Sequence, residues 1–185
     1  GAAAGPAAIR AALWSDRGNM ASELGPEIGT DIALTDDGDL PLTEDTPSDD
    51  AAIRRYLAIV REDGDVPLAL GGDHAVTFPL VETAATCFGP VNILHFDAHP
   101  DLYDDFAGNP RSHASPFARI CEAGHSERLV QVGIRTLNGH CREQAARFGV
   151  EIIPMADFTP DRVPVLDGPL YISIDLDGLD PSTAP

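Results

Sequence analysis

With 185 residues, 43% of them hydrophobic and 23% charged, the chain has the size and composition of one globular domain able to bury a core. Its formal net charge of −18, with 12 Arg and no Lys, argues against a nucleic-acid partner and suits attraction of cationic small molecules. No apolar run reaches the ~18 residues of a membrane span, residues 1–6 do not have the pattern of a secretory leader, and Cys87, Cys121 and Cys141 lack metal or disulfide spacing, so a cytoplasmic protein with reduced thiols and no membrane partner is expected, an organelle-targeting segment ahead of the cut N-terminus being left open.

In chain order, Gly1-Ala2-Ala3-Ala4-Gly5-Pro6 opens without Met, and Pro6 suits a first helical position that residues 7–14 continue. Residues 17–47, rich in Asp, Gly, Pro and Thr, predict a loop with one short strand at 32–34. Ser48-Asp49-Asp50 offers an N-cap and an acidic first turn. Ile53, Tyr56, Leu57 and Val60 then recur at helical spacing. Residues 66–70 form a short apolar run ending in Gly71-Gly72-Asp73-His74, followed by a helix over 78–85. A second apolar run, 91–96, ends in Asp97. A helix over 115–123, a strand over 129–134 and a helix over 138–148 with Gly149 as its stop come next. Strands at 151–155 and 170–174 complete the set. Apolar strands separated by helices predict an α/β domain, three-layer α/β/α with a mostly parallel sheet, over residues 1–185. Because the chain stops at Pro185 directly after a charged motif and begins without Met, that domain is expected to be truncated at both ends.

Asp73-His74, Asp97-Ala98-His99-Pro100-Asp101 and Asp175-Leu176-Asp177 each follow a different apolar run. In open α/β sheets ligands sit outside the carboxyl ends of the strands, and right-handed crossovers bring those ends to one edge. Taken singly, Gly71-Gly72-Asp73-His74 and Asp177-Gly178-Leu179-Asp180-Pro181 read equally well as turns. Asp97, His99 and Asp101 within five residues are harder to place without a cation. Together, four Asp and two His give an oxygen and nitrogen shell without sulfur, suited to Mn²⁺ or another divalent first-row ion. A shared carboxylate can hold two such ions roughly 3.5–4 Å apart, and a water between them loses a proton near neutral pH. His95 reads as core, and His125 and His140 read as surface residues.

In this order, Gly71-Gly72-Asp73-His74, Asp97-Ala98-His99-Pro100-Asp101 and Ser173-Ile174-Asp175-Leu176-Asp177-Gly178-Leu179-Asp180-Pro181 resemble the three signatures of the ureohydrolases, the arginases and agmatinases. The stretches 101–106, 108–109, 112–120 and 131–135 look most like the plant-type arginase branch, some of whose members also act on agmatine. The resemblance implies an arginase/deacetylase-like fold, two Mn²⁺ per site, and hydrolysis of a guanidinium group of agmatine or L-arginine to urea and an amine. It implies one ion on His74, Asp97, Asp101 and Asp175, and the other on Asp97, His99, Asp175 and Asp177. Asp101 would take a hydrogen bond from the attacking water and help pass a proton to the leaving amine, and His113 matches a mobile-loop histidine that shuttles protons. A homo-oligomer, trimer or hexamer, is implied as well.

Three departures bear on substrate choice. Tyr103 and Asp104 stand where animal arginases read the substrate carboxylate with an Asn, and Asn138 stands where they hold the α-amino group with an Asp. The family's guanidinium-binding Glu falls after Pro185. The alternatives are a non-catalytic metal-binding or oligomerising module and a hydrolase of another guanidino acid such as guanidinobutyrate. A deacetylase on the related scaffold fits less well, since that family uses one zinc and a different Asp/His pattern.

Overall fold

In the computed structural model, which describes residues 2–16, 18–43 and 46–184, four strands form one wholly parallel sheet. These are β1 (Val91–Phe96), β2 (Ser126–Ile134), β3 (Glu151–Pro154) and β4 (Leu170–Ile174), in the spatial order β3-β2-β1-β4. The helices are α1 (Gly5–Leu13), α2 (Thr46–Glu62), α3 (Thr77–Phe88), α4 (Pro116–Glu122) and α5 (Gly139–Phe148). The expected α/β architecture, a parallel sheet of the three-layer α/β/α class, is therefore present. From β1 the chain steps outward through α4 to β2 and through α5 to β3, then returns to lay β4 on the other side of β1. Strand order reverses between β1 and β4, and a crevice opens at the carboxyl ends of strands at such a reversal.

Register decides which residues look into the core. Ile93 pairs with Leu129 and Tyr171, and His95 pairs with Gln131 and Ser173. Side chains alternate along a strand, so these rows share one face. That face packs under α3 and α4, where Val81, Phe117 and Ile120 close over Val91, Ile93 and Leu129. The opposite face is covered at Val130 and Val132 but leaves Leu170, Ile172 and Ile174 of β4 exposed. Local signals set the boundaries: Asn138 caps α5 by accepting from the Cys141 N–H at 2.8 Å, and Gly149 ends it in the left-handed region.

Three expectations are corrected. Residues 32–34 form no strand, and only an isolated bridge between Ile28 and Ile32 marks that region. Helix α2 starts at Thr46, with Pro47 in its first turn, so Ser48 lies inside the helix. The apolar run 66–70 is irregular, pairs with no strand among the described residues, and leaves Val66 92% exposed. An extended segment becomes a strand only where a neighbour completes its hydrogen-bond ladder. β1 and β4 keep their expected bounds, and elsewhere the shifts are of one to three residues, the largest being the extension of β2 back to Ser126 and of α3 on to Phe88.

The two faces of the sheet predict opposite responses to truncation. Ile93→Ala in the sealed face is expected to lower the unfolding free energy by about 2–5 kcal/mol. Ile172→Ala on the open face should change it by only about 0.5 kcal/mol. Urea denaturation of both variants reads the difference, and equal losses would contradict the assignment of faces.

Candidate metal centre

The site is built where β1 and β4 end side by side. The Asp97 N–H bonds to the Val132 carbonyl at 3.1 Å and the Asp175 N–H to the Phe96 carbonyl at 2.8 Å, so the ladder carries both aspartates to the same edge. After Asp97 the chain turns sharply, and Asp101 takes a left-handed conformation with φ 48°, which Asp tolerates better than most side chains. After β4 a short 3₁₀ turn is capped by Asp175, whose carboxylate accepts the Asp177 N–H at 3.0 Å. Gly178 lets this turn lie flat on β1, since a Cβ there would stand 3.2 Å from the Asp97 backbone nitrogen and Cα. A matching turn at His74 is capped by Asp73 through the Ala75 N–H at 2.9 Å.

All six residues expected to form the site converge. His74 Nδ1 lies 2.8 Å from Asp101 Oδ2, 3.5 Å from Asp97 Oδ2 and 3.9 Å from Asp175 Oδ2. His99 Nδ1 lies 3.0 Å from Asp177 Oδ2 and 3.5 Å from Asp97 Oδ1. Asp97, 1% exposed, thus presents one oxygen to each half of the cluster. Donor atoms of Asp97, His99 and Asp177 fall within 4.8 Å of one another, and so do those of His74, His95 and Asp97. His113 is placed apart: it lines the same cleft, but its exposed ring stands edge-on to Phe106 with Nδ1 3.9 Å from Asp73.

Packing four carboxylates at one edge has electrostatic consequences. Burial pushes the Asp97 carboxyl above its ordinary value, against the hydrogen bond it accepts from the His99 N–H and the field of His74. For His74, burial acts to lower the pKa, but the hydrogen bond to Asp101 and the fields of Asp101, Asp97 and Asp175 outweigh it and the value is raised. His95, fully enclosed, is driven by burial down to about 3 and is neutral.

Beneath the cluster lies a layer that the sequence motifs do not mark. Ser173 Oγ is 3.0 Å from His74 Nε2, His95 Nε2 is 2.8 Å from Asp97 Oδ2, and Gln131 reaches His95 from β2. Their signal in the sequence is weak but real: His95, Gln131 and Ser173 are polar residues within apolar stretches of three strands, and they fall in one register row. His95 is core, as expected, and also a partner of the site. Arg135, directly after β2, donates to the Asp177 carbonyl at 2.7 Å and pins the turn that carries Asp177. His125 and His140 are half-buried rather than surface residues, against Phe78 and Tyr103 respectively.

A sulfur-free set of carboxylates and imidazoles, divided into two halves around one buried carboxylate, fits divalent first-row cations. The fold and the site together define an α/β protein with an Asp/His cluster able to hold metal at a topological switch point. The sequence model of the Arginase family matches residues 1–185, and the chain belongs to that family. It is 44% identical to the mitochondrial arginase of Medicago truncatula over the whole of this chain and 59% of that protein. It is 34% identical to the mitochondrial agmatinase of Gallus gallus over the whole of this chain and 58% of that protein. The solved structure of arginase from Medicago truncatula superposes with a TM-score of 0.91 at 42% identity, covering all of this chain and 63% of that one. The chain thus spans about three fifths of the length of the relatives it matches. Among the described residues no helix is long and apolar enough to cross a membrane.

The raised His74 value predicts a pH signature for metal-free protein. The native state holds a proton on His74 that the unfolded chain releases near pH 6.5, so this stabilisation is complete below that pH and is lost as pH rises through the folded value. Asp97, also raised, contributes with the same sign at lower pH. In chelator, Tm should therefore fall as pH rises above 6.5. A divalent cation held at His74 would replace this proton, so its stabilising effect should grow over the same range. A metal-free Tm that climbs toward pH 8 would contradict the placement of His74 among the carboxylates.

Proposed function

We propose that the complete protein is a manganese-dependent amidinohydrolase that cleaves the guanidinium group of agmatine or L-arginine to urea and putrescine or ornithine. The observation that carries this reading is Asp97, buried with one oxygen toward His74 and Asp101 and the other toward His99. In this reading His74, Asp97, Asp101 and Asp175 hold one ion, and Asp97, His99, Asp175 and Asp177 hold the other. When bound, the two cations supply the charge that makes a water nucleophilic near neutral pH. Asp101 takes the proton and returns it to the amine as the C–N bond breaks, and His113 carries protons between this point and the cleft mouth.

The cleft supports a cationic substrate. Asp36, Asp37, Asp39, Asp73, Asp101 and Asp175 line it. Its three Arg among the described residues are engaged: Arg10 by Asp36 and Asp39, Arg111 by Asp50, and Arg135 by the Asp177 carbonyl. Among the described residues a substrate carboxylate would meet no unpaired Arg there, whereas an amine would meet carboxylates, which favours agmatine. Of the relatives, the one from Medicago truncatula at 44% identity is named arginase and the one from Gallus gallus at 34% is named agmatinase.

The experiment is urea release from agmatine, L-arginine and guanidinobutyrate by the full-length protein loaded with Mn²⁺. Turnover is expected, with the highest kcat/KM on agmatine; manganese uptake without urea from any of the three would favour a non-catalytic module and reject the reading. Asp97→Asn and Asp175→Asn should each lower metal affinity by at least ~10-fold and abolish turnover. His113→Ala should lower kcat by about 10²-fold, the lower range for general acid–base groups, with metal content unchanged.

A further inference from the structure

His95 admits two opposite roles. Its donor atoms lie close enough to His74 and Asp97 to make it a third ligand of a bound ion, or it can serve as a hydrogen-bond donor to a ligand. The choice turns on which ring nitrogen bears the proton, and that is decided one strand away.

Gln131 on β2 is the register partner of His95 and is fully buried. Its Nε2 lies 2.6 Å from the Pro100 carbonyl and 3.1 Å from His95 Nδ1. The amide cannot be reversed, because its oxygen would then face the Pro100 oxygen, acceptor against acceptor. Nε2 is therefore the end that faces both partners, and a donor facing Nδ1 requires Nδ1 to be the unprotonated nitrogen. The proton of the neutral ring is then on Nε2, 2.8 Å from Asp97 Oδ2.

A second observation shows that this orientation matters. Gln131 Oε1 is buried with no hydrogen-bond partner among the described residues. Leaving a buried acceptor unpaired is costly, and an apolar side chain of the same size would avoid the cost. What only the amide supplies is the NH₂ end, held against Pro100, which lies between His99 and Asp101, and against His95.

We propose that Gln131 and His95 are positioning residues: Gln131 fixes the His95 tautomer, so that His95 donates to Asp97 Oδ2, orients the shared carboxylate and is barred from binding metal itself. This rests on the two-metal reading. It explains why the row beneath the site is Gln131–His95–Ser173 rather than apolar, since each member acts toward the ligands and none lines the cleft.

The test begins on metal-free protein, by long-range ¹H–¹⁵N correlation of the histidine side chains. The expected signature is a protonated Nε2 and an unprotonated Nδ1 at His95; the reverse tautomer would overturn the inference without touching the two-metal reading. Gln131→Glu places an acceptor against Nδ1 and should switch the tautomer, turning the Nε2 lone pair toward Asp97. Calorimetric titration with Mn²⁺ should then show affinity lowered by about 10–100-fold. Gln131→Met, which keeps the volume and only frees the tautomer, should fall between this variant and wild type. His95→Phe keeps the ring against Phe117 and should still take up two equivalents at reduced affinity; loss of one equivalent would show that His95 is a ligand and overturn the proposal. Unchanged affinity in folded Gln131→Glu, or in folded Gln131→Met if the first variant fails to fold by circular dichroism, overturns the positioning role alone. Wild type that binds no Mn²⁺ overturns the two-metal reading, and the positioning role with it.

Discussion

A carboxylate placed at the dry end of a central parallel strand governs much of what surrounds it. Asp97 is 1% exposed, and an ion in that position carries a desolvation cost of several kcal/mol unless its oxygens are well partnered. The partners are present on both sides. Oδ1 accepts the His99 N–H at 2.6 Å and Oδ2 faces His95 Nε2 at 2.8 Å, with His74 and His99 beyond. Each comes from a different constraint: the turn after β1, the strand itself, and the turn before α3. The local backbone follows the same demand. Left-handed Asp101 and the flat approach of Gly178 both bring chain closer to Asp97 than an ordinary strand end would allow.

The loop that carries His113 is held by charge rather than by apolar burial. Arg111 donates to Asp50 of α2 at 2.5 Å and lays its guanidinium 4.2 Å over the Phe78 ring of α3. Arg54 pairs with Glu82 and lies near Asp50, so α2, α3 and the loop share one network. A planar guanidinium can stack and hydrogen-bond at once, which a lysine cannot do equally well. Tyr103, Phe106 and His140 continue this wall with ring contacts, and Asn138 reaches the Tyr103 hydroxyl at 2.5 Å. Of the residues that depart from the animal-arginase pattern, Tyr103 and Asn138 are therefore bonded to each other, and Asp104 pairs with His140 at 3.0 Å.

The ends of β1 and β4, and with them Asp97, His99, Asp101, Asp175 and Asp177, were legible in the sequence because chemistry and periodicity coincide there, whereas His74 follows a run that forms no strand. A charged pair or triplet directly after a short apolar run is costly to hold at a strand end unless it serves a ligand. The run at 66–70 carried the same local signal and did not form a strand, because pairing is a property of two segments and propensity reports on one. The loop at 32–34 failed for a similar reason: its fixed points are the ion pairs of Arg10 with Asp36 and Asp39, contacts that no periodicity encodes. The Gln131–His95–Ser173 row was only faintly legible for a third reason. A single polar residue within a strand is ordinary, and only the register makes three of them a layer.

That layer bears on how a site for cations is kept intact without them. In metal-free protein the hydrogen bond to Asp101 and the fields of Asp101, Asp97 and Asp175 raise the pKa of His74, so protonation there is favoured by the same carboxylates whose mutual repulsion it would offset. The neutral His95, which precedes Asp97 on β1 and has its pKa depressed to about 3 by burial, cannot serve that purpose and contributes a dipole instead. Two histidines with ring centroids 5.2 Å apart are thus shifted in opposite directions, one upward by carboxylates and one downward by enclosure. A cation held at His74 would take the place of its proton and of its hydrogen bond to Asp101, while the bonds from His95 Nε2 and the His99 N–H to Asp97 are made by other groups. The centre is preorganised because the group that titrates and the group that orients are different residues.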